Sequence, residues 1–206
     1  MKIGIYIYDH AEVLDFAGPF EVFSTAARIA DARLQSQVFL VGETGQVVLA
    51  RSGFNVTPRY GFHNCPQLDV LVVAGGVHEN EMKKPAVLAW LKQQSKKTLL
   101  VASVCTGVFL LAQAQLLDRH QVTTHWQDIA ELKISFPQLQ VLERVRWVDQ
   151  GSIITSAGIA AGIDMSLHIV RRLFGAELAE RTAKQMAFPW TASSENDRCP
   201  ELMGSF

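Results

Sequence analysis

The chain has 206 residues, 49% of them hydrophobic, with 19 basic against 20 acidic side chains and a formal net charge of -1. That length and apolar content suit one domain with a sizeable core, and the charge balance supplies no positive field for a phosphate backbone, so no direct nucleic-acid binding is expected. No apolar run reaches transmembrane length, which argues against membrane association.

Strand signals fall at residues 2–8, 36–41, 68–73 and 98–104, several as continuous apolar runs of the kind covered by helices on both faces. Between them, 19–33 and 85–96 repeat apolar residues at helical spacing, each opening on a proline that an early helical turn tolerates. The alternation predicts an α/β sandwich with a mainly parallel sheet. Gly45 and Ser52-Gly53 mark turns around a short antiparallel excursion. After Cys105 a helix through Ala114 is expected, then a strand over 121–125 and a helix over 126–133. A hairpin pairs 141–147 with 153–156. Two helices follow, 162–174 and 176–187, interrupted by Gly175. The expected organisation is one domain over 1–188 and a polar tail over 189–206.

Three cysteines, Cys65, Cys105 and Cys199, form no CxxC pair and show no zinc-like spacing. Their odd number fits a reducing compartment. Asp9, His10, Glu12 and Asp15 follow the first apolar run too soon for an export signal, so a cytoplasmic location is expected. Histidines and carboxylates show no persuasive metal-ligand spacing.

Cys105 carries the main clue to chemistry. It follows the apolar run ending Ala102-Ser103-Val104 and precedes Thr106-Gly107, where Gly107 lets a helix begin close against the strand. Such a turn lifts a side chain out of the sheet toward unpaired helix amides, which favour a thiolate. The competing reading is a cysteine buried as a small hydrophobe. Asp15 follows the first strand, and neighbouring parallel strands share one ligand-binding edge, so Asp15 and Cys105 can meet there; Asp15 can also simply cap a helix. An ionised Asp15 would raise the pKa of the thiol and titrate with it as a coupled unit.

Gly75 and Gly76 end the third strand signal and permit a concavity whose amides, with that of Thr106, face developing negative charge; a plain tight turn is the alternative. His125, in Thr123-Thr124-His125-Trp126, is the histidine best placed as a base or binding residue, or else as a cap. His78 is placed to border the same edge. The run Ser156-Ala157-Gly158-Ile159-Ala160-Ala161-Gly162-Ile163-Asp164 reads as a small-residue bend that shapes a pocket wall, with Asp164 near first-turn amides.

Taken in order, Leu14-Asp15-Phe16-Ala17-Gly18-Pro19, Ala74-Gly75-Gly76, Ser103-Val104-Cys105-Thr106-Gly107, Thr123-Thr124-His125-Trp126 and the run from Ser156 to Asp164 resemble the DJ-1/PfpI superfamily. The likeness is to its isonitrile hydratase-like branch and to the amidotransferase-like sensory domains of AraC-type regulators. It implies a flavodoxin-like three-layer α/β sandwich with a nucleophile elbow, and a homodimer. It also implies Cys105 as nucleophile, Asp15 as its acid partner and Thr106 as neighbouring hydroxyl and amide donor, while Gly75, Gly76 and His125 are expected to line the substrate from their positions at the strand ends.

The implied reaction is hydration of a small isonitrile-like substrate to an N-substituted formamide, needing no metal or other cofactor. Thr106 stands where PfpI-type peptidases carry a histidine, which argues against a peptidase, and Asp15 departs from the glutamate usual in DJ-1-like proteins. The resemblance leaves two alternatives, a small-molecule sensing or regulatory domain and a cysteine-based stress or redox protein. Too few residues follow Pro189 for a regulator's two helix-turn-helix units.

Overall fold

The computed structural model describes residues 1–30 and 36–190. Its strands are β1 (Lys2–Tyr6), β2 (Gln37–Val41), β3 (Val48–Leu49), β4 (Asn55–Val56), β5 (Val70–Val73), β6 (Leu100–Val104), β7 (Gln121–Val122), β8 (Gln140–Val141), β9 (Trp147–Asp149) and β10 (Ile153–Ser156). Its α-helices are α1 (Val13–Ile29), α2 (Pro85–Ser95), α3 (Gly107–Gln113), α4 (Ile129–Ser135), α5 (Ala161–Phe174) and α6 (Ala176–Gln185).

The main sheet is six-stranded in the order β2-β1-β5-β6-β10-β9. Every pairing in it is parallel except that of β9 with β10. Helices α1, α5 and α6 pack together in one layer, and α2 and α3 in another. This is the expected flavodoxin-like sandwich. All of β5 and β6 is buried, which is why those strands read as unbroken apolar runs rather than alternating ones. Phe16, Val22, Phe23 and Ala26 put the apolar face of α1 against the core. Among the described residues no helix is long and apolar enough to cross a membrane.

Several element boundaries differ from the sequence reading, among them those of α1 and of the hairpin. Helix α1 begins at Val13, so Pro19 lies inside it. Proline removes the N–H that would serve the Asp15 carbonyl, a cost the helix bears because its buried face packs on α5, with Gly18 against the Ile163 side chain. The expected continuation of this helix over 31–33 lies outside the described residues. Val141 does not belong to the hairpin: β8 pairs in parallel with β7, and Arg144, at φ 58°, turns the chain before β9 begins. The hairpin is therefore β9 with β10 alone. Of the expected tail, Trp190 packs against the core, and residues 191–206, with Cys199, lie outside the described residues.

A partly buried charge cluster fastens the sheet edge to α5. Asp149 accepts from His168 Nε2 at 2.7 Å, Arg172 Nη1 at 2.8 Å and the Gly151 amide at 2.8 Å. Burial pushes this carboxyl up, but the His168 and Gly151 bonds and the Arg172 charge outweigh it and hold the pKa below its ordinary value. Asp149→Asn is expected to destabilise the fold by about 1–3 kcal/mol at neutral pH. A depressed carboxylate stabilises the fold above its unfolded pKa and stops doing so as pH falls through its folded one. The deficit of the variant, measured by urea unfolding, should therefore shrink below about pH 4; a deficit independent of pH would remove the charge argument.

Candidate active site

Cys105 sits at φ 55°, a left-handed conformation that costs a non-glycine residue roughly 1–2 kcal/mol. The surroundings impose it. The Cys105 amide donates to the Ser156 carbonyl at 3.1 Å, and its carbonyl accepts from Thr124 Oγ1 at 2.9 Å. With both backbone groups held between β10 and the segment after β7, the side chain is turned out of the sheet at the head of α3. Gly107 makes the turn possible, because its Cα faces the end of β5.

Gly75 is the point where the candidate residues converge. A β-carbon there would lie 2.7 Å from Asp15 Oδ2, 2.7 Å from the Thr106 amide nitrogen and 2.8 Å from Cys105 Cβ. The sheet edge thus brings Asp15 and Cys105 together across ninety residues of chain. The capping alternative for Asp15 fails: Glu12 occupies the N-cap, Asp15 is the third helical residue, and neither of its oxygens has a partner at standard hydrogen-bond geometry. Asp15 is fully buried. Burial, reinforced by the charge of Glu12, raises its pKa to about 7, against partial relief from the Cys105 side chain and the Gly75 amide, which approach it.

The expectation that helix amides favour a thiolate is overturned. Burial first, and the Asp15 charge second, push the Cys105 thiol well above its ordinary value, while the Thr106 amide opposes them. One amide at the start of a helix of seven residues does not offset a side chain left only 7% exposed.

Thr106 and Gly76 use one another. Thr106 Oγ1 donates to the Gly76 carbonyl at 2.8 Å and accepts from the Gly76 amide at 2.8 Å. This corrects the expected concavity, in which both glycine amides face developing charge: the Gly76 amide is spoken for, the Gly75 amide faces Asp15, and the Thr106 amide faces the sulfur. Gly76 itself, at φ 143°, lies where a side chain would strike the backbone of His10 and Ala11.

His125 reaches the same site from the other flank. Thr123 and Thr124 hang its segment on the sheet, the Thr123 amide donating to Thr155 Oγ1 at 2.9 Å and Thr124 Oγ1 to the Cys105 carbonyl. The His125 ring and the Cys105 sulfur both pack against Gly158. Asp128, which the sequence reading missed, stands 3.4 Å from His125 Nδ1. Its only signal was an acid three residues after a histidine, where helical geometry brings side chains together.

Tyr8 was also missed. Its buried hydroxyl lies beside Thr106 and feels the charges of Glu81, Asp15 and Cys105. His78 is buried behind the diglycine, its ring 4.3 Å from that of Phe109. Asp164 pairs with Arg146, tying α5 to the approach to β9 rather than serving as a helix cap. A small apolar cavity between α1, α5 and α6, lined by Ile3, Phe23, Ala26 and Leu178, shares no residue with this cluster. Among the described residues no group of three histidine, cysteine or carboxylate side chains is arranged to hold a metal ion.

A cysteine on a left-handed strand-to-helix elbow, at the edge of a doubly wound parallel sheet and backed by a buried acid, defines a nucleophile-elbow α/β protein. The chain belongs to the DJ-1/PfpI family, which matches residues 1–172. It is 31% identical over 189 residues to an isonitrile hydratase from Pseudomonas putida, covering 91% of this chain and 78% of that protein. It is 28% identical over 187 residues to the transcriptional regulator GbdR of Pseudomonas aeruginosa, covering 91% of this chain but only 50% of the regulator. Among solved structures, a ThiJ/PfpI family protein from Pseudomonas syringae superposes with a TM-score of 0.80 at 25% identity, over 97% of this chain and 81% of that one. Drosophila melanogaster DJ-1beta shares the fold with a TM-score of 0.79 at 20% identity, over 92% of this chain and 98% of its own.

Proposed function

We propose that this protein hydrates a small, largely apolar isonitrile to an N-substituted formamide in the cytoplasm, as a homodimer. The observation that carries the reading is the fully buried Asp15 carboxyl set against Cys105, with a pKa raised to about 7. A carboxyl poised there can both take and return a proton at neutral pH. The likeness to isonitrile hydratase supplies the substrate class.

In this scheme the Cys105 thiol passes its proton to the Asp15 carboxylate as sulfur bonds to the terminal isonitrile carbon. Asp15 returns that proton to the same carbon, giving a thioimidate in which carbon bears hydrogen, sulfur and the substituted nitrogen. Water adds to this carbon, one of its protons goes to nitrogen, and the carbon–sulfur bond breaks to release the formamide and restore the thiol. The net change is addition of one water. Because Asp15 receives the thiol proton, the elevated pKa of the thiol does not bar the reaction. The Thr106 amide faces the sulfur and steadies its charge, and the Thr106 hydroxyl holds Gly76 in place. His125, with Asp128 behind it, lines the substrate side.

Purified protein should convert an alkyl isonitrile to its formamide, followed by chromatography of the product, and Cys105→Ala should reduce turnover at least about a thousandfold. Turnover unaffected by that change would eliminate the scheme. The second reading is a sensory domain that binds a small effector without consuming it, favoured because the match to GbdR covers nearly all of this chain and half of the regulator. Saturable binding of an isonitrile with no formamide formed would select it.

A further inference from the structure

We propose that Gly158 is a positioning residue that sets the orientation of the Cys105 sulfur and the room an electrophile has to reach it. The inference rests on Cys105 being the reacting group and adds the feature that controls its access.

Gly158 lies in the bend between β10 and α5, against the Cys105 side chain. A β-carbon at Gly158 would lie 2.8 Å from Cys105 Sγ, 3.2 Å from Cys105 Cβ and 2.7 Å from His125 Cδ2. The first and third distances are shorter than any van der Waals contact, so the sulfur and the imidazole occupy their positions because this residue has no side chain.

Its backbone does not call for glycine. Gly76, Gly151 and Gly175 have positive φ values that L side chains rarely adopt, and Gly158 is not among the glycines with such values. The constraint is space beside the sulfur. The two contacts under 3 Å are to side-chain atoms, and Cys105 Cβ at 3.2 Å has to give by only a few tenths of an ångström, so an added methyl group displaces the site rather than the fold. The Cys105 backbone is pinned by Ser156 and Thr124, which leaves rotation about its Cα–Cβ bond as the response. That rotation carries the sulfur from its place between the Thr106 amide and the imidazole. The same flank limits the ligand: the site takes electrophiles whose reacting carbon carries nothing larger than hydrogen toward Gly158, as a terminal isonitrile carbon does.

Iodoacetamide, whose reacting methylene can present a hydrogen toward Gly158, is the probe. The full chain is alkylated, and labelling of Cys105 and Cys65 is followed separately by peptide mass spectrometry, with Cys65 reporting general reactivity. Gly158→Ala is expected to slow Cys105 labelling about tenfold or more, with Cys65 labelling and the melting temperature unchanged. Adding His125→Ala opens the far side of the new methyl group and restores part of the rate. Labelling of Cys105 at the wild-type rate in Gly158→Ala, equal slowing at both cysteines, or no recovery in the double variant overturns the proposal. Wild-type protein that is alkylated normally yet forms no formamide removes the hydration reading and leaves the role of Gly158 standing.

Discussion

Asp15→Asn is expected to make the protein more stable and less active, with the stability gain growing as pH rises. Asp15 is fully buried without a completed hydrogen bond, so its ionised form is costly. Its carboxyl titrates at an ordinary 3.8 in the unfolded chain and at about 7 in the native one. Between those values the native state holds a proton that the unfolded state has lost. The number of protons bound by the unfolded state minus that of the native state is negative there, and stability falls with rising pH. The cost is absent below the unfolded pKa and complete above the folded one, where a shift of this size corresponds to at most about 4 kcal/mol. Asparagine keeps the shape and does not titrate. Urea unfolding at pH 4, 6 and 8 should show Asp15→Asn level with the wild type at the first and more stable by about 2–4 kcal/mol at the last. A gain that is constant across the range, or largest in acid, would contradict the buried-carboxyl account.

The same variant should lose activity by about a hundredfold or more, because asparagine can neither take the thiol proton nor return it to carbon. The proposed reaction starts from the Asp15 carboxylate beside the Cys105 thiol, a pair carrying one negative charge. That state fills as pH rises through about 7, so kcat/KM for the isonitrile should climb through that value and then level off. Residual turnover of Asp15→Asn should lack this limb. Stability and activity thus move in opposite directions for one stated reason, a carboxyl kept where its charge is disfavoured.

Much of this arrangement was legible in the sequence, and what was not has a physical cause. Strands β1, β5 and β6 stand out because strands covered on both faces carry continuous apolar runs, and the edge strand β2 stands out as an apolar run only partly buried. The elbow was visible because a buried strand runs straight into a cysteine, with Gly107 two residues later. The start of α1 was not, since Pro19 read as a first-turn proline and only packing against α5 makes it tolerable six residues further in. Val141 looked continuous with Trp147, and nothing local announced the left-handed turn at Arg144. The direction of the thiol shift was hidden for another reason. A helix start is a local pattern, whereas burial depends on segments as distant as Asp15 and Gly158, and burial is the larger effect. Gly158 was recognisable as part of a small-residue bend, but the atoms requiring it to be small come from Cys105, between β6 and α3, and from His125, in the segment after β7.

Gly107→Ala makes the opposite case from Gly158→Ala, and is expected to cost the fold about 3 kcal/mol or more. At the first residue of α3, alanine has the better helix propensity, by roughly 1 kcal/mol. Sterics reverse that preference. A β-carbon at Gly107 would lie 2.3 Å from the Val73 carbonyl oxygen and 3.0 Å from that of Ala74. Val73 is held on both sides, in register with Tyr6 of β1 and Ser103 of β6, so its carbonyl cannot retreat without disturbing the central ladder. Helix α3 must then lift away from β5, opening the packing of Val108 and Phe109, both buried. For a domain of this size the loss corresponds to a fall in melting temperature on the order of 10 °C. It should be accompanied by faster alkylation of Cys105, because raising the helix loosens the elbow that shelters the sulfur. If calorimetry instead finds Gly107→Ala as stable as the wild type, close contact between the head of α3 and β5 is not what holds Cys105 in its left-handed turn.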